Sequence, residues 1–114
     1  MNSQFQEFSG ELPHDLLQRA HRSQGELAWS QADAIAAIDG LEKAEFTLLG
    51  VEVWLASSSG PQMTGRFWTL DDRADASGPK TASDFVATFK WGPFDAIFAG
   101  REPLFNLTVA EKRS

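Results

Sequence analysis

Cysteine and tyrosine are both missing from the 114 residues, and the first of these absences removes several chemistries at once. Without a thiol there is no disulfide, no thiolate nucleophile and no cysteine-ligated zinc. Histidine is almost as scarce. His14 and His21 are the only two; read on one helix they stand about 10 Å apart along its axis, too far to share a metal. No stretch approaches the roughly 20 apolar residues of a membrane-spanning helix. Met1 to Gly10 lacks the basic start and apolar run of a secretory signal, so a cytoplasmic location is expected.

Positive charge is also in short supply. Ten basic residues face sixteen acidic ones, and the net charge of −6 repels phosphate backbones and anionic lipid. Neither nucleic acid nor a membrane is therefore an expected partner. The charge itself has two readings: ordinary solubility, or an acidic face for a basic protein.

Apolar residues, by contrast, make up 42% of the chain, with nine Phe and four Trp. A chain of this length can bury a core without staples, and the rings should supply much of the driving force. One domain over residues 1–114 is expected.

Leu12 to His21 carries Leu12, Leu16, Leu17 and Ala20 at helical spacing, with Pro13 in a first turn and Gly25 past the end. A second helix starts at Ser30, a good N-cap, with Asp33 in the first turn and Ala34, Ile35, Ile38 and Leu41 along one face. Trp29 stands before the cap as in a hydrophobic staple with Ala34. Gly40 costs that helix about 1 kcal/mol relative to Ala, implying close packing or early fraying.

Phe46 to Leu55 alternates, with Leu49, Val51, Val53 and Leu55 on one side and Phe46, Leu48, Glu52 and Trp54 on the other. Two apolar faces suit a central strand. Turn residues Ser57 to Pro61 lead to a weaker strand around Met63 to Leu70, making a hairpin. A polar loop, Asp71 to Lys80, follows. Thr81 or Ser83 opens a further helix with Phe85, Val86 and Phe89 inward and Asp84 near its positive end. Trp91-Gly92-Pro93 interrupts it before a shorter helical piece with Phe94, Ile97 and Phe98, and Pro103 to Val109 forms a last strand. The predicted class is α+β: a small antiparallel or mixed sheet of three or more strands packed against helices, in the order α-α-β-β-α-β.

Catalytic patterns are weak. Gly60 to Gly65 has the glycine spacing of a phosphate-binding loop, but Arg66 and Phe67 stand where Lys and Ser or Thr are needed, and a strand follows instead of a helix. Ser57, Ser58 and Ser59 lack the flanking glycines of a nucleophile elbow. Asp71 and Asp72 offer too few oxygens for a hard cation. The sequon Asn106-Leu107-Thr108 falls inside a predicted strand. No catalytic residue, metal or cofactor is assigned. Glu52 is the unexpected residue, an acid in mid-strand beside Trp54. It either meets solvent or pairs with Arg66 or Arg73 across the hairpin, or it marks a binding position flanked by Trp54 and Trp68.

The segment from Gly25 to Asp39, with Leu49-Gly50-Val51-Glu52-Val53-Trp54 beyond it, resembles the immunity proteins of bacterial polymorphic toxin systems, and among them the family numbered forty. Trp29, Ser30, Gly50, Glu52, Val53, Trp54, Thr64, Trp68, Phe85 and Val86 can be laid onto that family's pattern, over residues 25 to 109. Val51 replaces a glycine of the pattern, and Gly65-Arg66-Phe67-Trp68-Thr69 replaces a polar, tyrosine-rich segment. The resemblance implies a non-enzymatic protein that binds and blocks a cognate toxin. The candidate contacts are Glu52, Trp54, Trp68, Asp71 and Asp72, and alanine at Glu52 or Trp68 is expected to weaken the complex by about 1 kcal/mol or more with the fold intact. Two other readings stay open: a small-molecule or regulatory domain with an aromatic pocket beneath Trp91 to Pro93, and a hydrolase built on carboxylates and a metal.

Overall fold

The computed structural model describes residues 8, 10, 12–56, 61–70, 81–92, 97, 98 and 100–110. The Ser57–Gly60 turn, the Asp71–Lys80 loop with Asp71, Asp72 and Arg73, Pro93 and Phe94, and the tail from Glu111 lie outside them. The class is α+β. The elements are α1 (His14–Gln18), β1 (His21–Ser23), β2 (Glu26–Trp29), α2 (Gln31–Lys43), β3 (Thr47–Leu55), β4 (Gln62–Thr69), α3 (Ala82–Thr88) and β5 (Leu104–Ala110). The strands form one sheet in the order β1-β2-β5-β3-β4, antiparallel throughout.

Two elements depart from the sequence reading. The first helix stops at Gln18, so His14 lies on α1 and His21 on β1. Gln24 and Gly25, with φ of 52° and 83°, then turn the chain between paired Ser23 and Glu26. Two successive left-handed residues in a two-residue loop match the twist of a tight hairpin. Gly25 is therefore a hairpin glycine, not the end of a helix, and the order gains a strand pair between the first two helices.

Trp29 ends β2 and is fully buried, its indole N–H donating to the Leu16 carbonyl at 2.8 Å. That bond ties α1, too short to persist alone, to the sheet. Arg19 adds a contact to Asp33 in the first turn of α2, 3.1 Å long. The carboxylate's hydrogen bond raises the Arg19 pKa, but a pair this exposed adds little stability. Phe8 joins the same core, edge-on to Phe46 at 6.0 Å.

Helix α2 begins after Ser30, although the Ser30 side chain makes no capping bond. It buries Ala34, Ala37, Ile38 and Leu41 and runs through Gly40 to Lys43 without fraying. Its end is a Schellman closure: Phe46 N–H donates to Leu41 carbonyl and Glu45 N–H to Glu42 carbonyl, with Glu45 at φ 71°. A non-glycine residue is strained there. Glu45→Gly is expected to raise stability by about 0.5–1 kcal/mol in urea unfolding, since the exposed side chain gives up no packing.

Helix α3 starts where Thr81 accepts the Asp84 N–H on its hydroxyl at 3.0 Å. At its other end the Gln31 amide donates to the Val86 carbonyl at 2.8 Å, which also accepts the Phe89 N–H at 3.4 Å. Helix α2 packs on β2, β3 and β5, and α3 on β3 and β4. They bury one face of the sheet through Leu27, Trp29, Val51, Val53, Trp68, Phe105 and Leu107.

The phase of β3 changes partway along. Leu48 pairs with Val109 and Gly50 with Thr108, so β3 holds one residue more than β5 across that step. This bulge turns Phe46 and Leu48 to the same side as Val51 and Val53, all within one core cluster, and leaves Leu49 40% exposed. The strict alternation expected over Phe46–Leu55 is corrected accordingly. Gly50 occupies the tight spot, where a Cβ would stand 3.3 Å from the Trp68 carbonyl oxygen.

Candidate functional site

The sheet face opposite the core cluster follows from register alone. His21 pairs with Ala28, Ala28 with Asn106, Asn106 with Glu52, and Glu52 with Phe67. Directly opposed residues share a face, so these five form one row across all five strands. The row beside it is Leu104, Trp54 and Met63.

Two side chains give this face a rigid centre. Trp54 is buried and clusters with Ala28 and Leu104, and its indole N–H donates to Glu52 Oε1 at 2.7 Å. Glu52 itself is exposed. Its mid-strand position is thus explained by an indole donor within its own strand. Asn106, only 3% exposed, donates from its side-chain amide to the Leu27 carbonyl at 2.9 Å. A buried, committed amide is no glycosylation acceptor. Asn106→Ala strips the Leu27 carbonyl of this donor, and a loss of about 1–3 kcal/mol is expected in chemical unfolding.

Strand β4 forms the outer edge and is itself irregular. Between the pairs Glu52–Phe67 and Trp54–Met63 the ladder breaks, and Gly65 takes φ 80°. The Thr64 hydroxyl bridges the gap, donating to the Val53 carbonyl at 2.9 Å and accepting the Arg66 N–H at 3.1 Å. Edge strands interrupted in this way resist casual pairing with other chains. Of the glycine-spaced segment, Gln62 to Gly65 belong to β4, so a strand stands where a phosphate-binding loop needs a helix N-terminus.

Met63 and Phe67 project from this edge 53% and 59% exposed. Of the anticipated contact residues, Glu52 and Trp54 come together here. Trp68 does not. It pairs with Val51 and lies 6% exposed in the main core, on the other side of the sheet. Asp71 and Asp72 fall outside the described residues. Sequence reasoning passed over Phe67 and Met63, although the two-residue spacing of β4 already sets Phe67 against Trp68.

No protein-family model, curated protein or solved structure matches this chain. Its site is thus defined by its own geometry. Around Trp91, where an aromatic pocket was the alternative expectation, rings meet each other: Phe89 at 5.0 Å, edge-on, and Phe98 at 5.3 Å. The Trp91 indole donates to the Arg101 carbonyl at 3.0 Å, and the Arg101 guanidinium donates to the Ala56 carbonyl at 2.8 Å. A small cavity of about 140 Å³ lies elsewhere, lined by His21, Arg22, Ser23, Trp54 and Leu104 among others. Among the described residues, no three His, Asp or Glu side chains converge as a metal site requires, and no helix is long and apolar enough to cross a membrane.

Proposed function

We propose that this chain is a non-enzymatic immunity protein that neutralises a cognate bacterial toxin through the exposed β3–β4 edge of the sheet face opposite the core. The observation that carries the reading is the pair Met63 and Phe67, both more than half exposed, beside the Glu52 carboxylate at the edge of the sheet face opposite the core cluster. Exposed aromatic and aliphatic side chains around a fixed charge are the usual anchors of tight protein complexes. A net charge of −6 would speed encounter with a basic toxin. The order of Trp29-Ser30, Gly50, Glu52-Val53-Trp54 and Thr64 along the chain adds the family resemblance. With no family match behind it, the reading rests on that residue pattern and on this surface.

The test places a photo-crosslinking amino acid at position 67 or 63 of the full chain in its native host. The expected product joins the chain to a protein with a C-terminal toxin domain, whose growth inhibition in a reporter bacterium is relieved when this chain is co-expressed. Recovery of the bait alone while the toxin is being made would sink the reading. The cavity beside Trp54 favours a second reading, a small-molecule-binding domain; saturable thermal stabilisation by a metabolite, without any protein partner, would support it.

A further inference from the structure

We infer that the exposed β3–β4 edge of this face holds a recognition site for one arginine side chain of the partner, formed by Glu52 and Phe67 side by side. The inference deepens the proposed function and rests on it for the partner's identity, while the site is made of this chain's own atoms.

Glu52 is exposed, yet it is not a loosely hydrated acid. Oε1 accepts the indole N–H of Trp54 at 2.7 Å, and Trp54 is fixed in the small cluster with Ala28 and Leu104. A carboxylate offers about four acceptor positions. The indole occupies one of them, and the head group arrives already oriented for an incoming donor. A neutral glutamine would serve the indole as well, so the negative charge exceeds what Trp54 requires. On an otherwise acidic chain that charge selects a cation.

Phe67 narrows the choice of cation. It stands directly opposite Glu52 in the register, which puts the two Cβ atoms about 5 Å apart. Its ring is 59% exposed. A cation seated on the carboxylate has this ring as its cross-strand neighbour, and a ring centroid attracts a cation that comes within roughly 6 Å. A guanidinium can give parallel N–H bonds to the carboxylate while its plane stacks on the ring, whereas an ammonium is compact and holds its hydration more strongly. Met63, opposite Trp54 in the next row and 53% exposed, offers an apolar wall to the methylene stem of arginine.

The test titrates the ¹⁵N-labelled full chain at low ionic strength with acetyl-Gly-Arg-Gly-amide, and in parallel with its lysine and citrulline analogues. Saturable movement of the Trp54 indole signal and of the residue 52 and 67 amides is expected with the arginine peptide. The lysine peptide should bind at least about threefold more weakly, and the neutral citrulline peptide should leave these signals unmoved. Glu52→Gln keeps an acceptor for Trp54 and is expected to weaken arginine binding roughly tenfold. Phe67→Leu, which keeps an apolar side chain, is expected to remove the preference for arginine over lysine. Equal binding of arginine and lysine, shifts scattered over the acidic surface, or no saturable shift would overturn the inference. A toxin that crosslinks at position 67 but sets no arginine against Glu52 would also overturn it, and would leave the immunity reading standing. Arginine binding here, with no toxin partner recovered from the host, would keep the site and remove the immunity reading.

Discussion

Trp29→Ala is expected to lower the unfolding free energy by about 3–5 kcal/mol, a large part of the roughly 5–15 kcal/mol that holds a domain of ordinary stability together. The reason is positional. Trp29 is fully buried at the junction of β2 and α2, is paired with Phe105 on the neighbouring strand, and holds α1 through the Leu16 carbonyl. Because the alanine variant can fail to fold, Trp29→Phe separates the contributions. It keeps a ring in the core and removes the indole donor, so a loss of about 1–3 kcal/mol is expected from a buried carbonyl left short of a partner. Hydrogen exchange adds a local readout. The α1 amides of Leu17 and Arg19, which donate to Pro13 and Asp15, should exchange faster in Trp29→Phe than amides in the centre of β3. Unchanged urea midpoint and unchanged α1 exchange in Trp29→Phe would refute the anchoring role.

The elements legible in the sequence are those whose pattern is local. Helix α2 has a cap position, an acidic first turn and a four-residue apolar stripe; α3 has Thr81 and Asp84 at its start; β5 is a mostly apolar run after Pro103, broken by Asn106 and Thr108. The hairpin of β1 and β2 was not legible, because Leu12, Leu16, Leu17 and Ala20 keep helical spacing up to His21. The strand His21–Ser23 is held only by its pairing with β2. Nothing polar or apolar in three residues announces it. The bulge at Leu49–Gly50 was hidden for a different reason. With both faces of β3 apolar, a one-residue slip in phase leaves the hydrophobic pattern looking unbroken.

The candidate site divides in the same way. Glu52 and Trp54 were readable as a pair, since an acid two residues from a tryptophan in a strand shares its face, and the structure joins them at 2.7 Å. Trp68 and Phe67 were not separable from β4 alone. Two adjacent aromatics must point to opposite faces, and the strand's own composition does not say which one turns inward. Pairing with β3 decides it, setting Trp68 against Val51 and Phe67 against Glu52. That is long-range information, carried by register and not by any local window.

The consequence is that Phe67→Ala and Trp68→Ala, one residue apart, are expected to fail in opposite assays. Trp68 is a large ring at 6% exposure in the main core, and its truncation should cost about 3–5 kcal/mol of stability. Phe67 is 59% exposed, and alanine there should leave the unfolding free energy within about 0.5 kcal/mol. Partner binding reverses the ranking. As an aromatic anchor on the exposed β3–β4 edge, Phe67 should contribute about 2 kcal/mol or more to capture of the toxin, roughly a thirtyfold weakening when it is truncated. Trp68→Ala, assayed at a temperature where it remains folded, should bind nearly as the parent chain does, because its ring lies on the far side of the sheet. Urea unfolding and equilibrium binding on the same two proteins test both halves. If Phe67→Ala were the destabilised variant, the register of β4 on β3 would be wrong. If both variants bound as the parent, the exposed β3–β4 edge would not be the toxin-binding surface, even with the register correct.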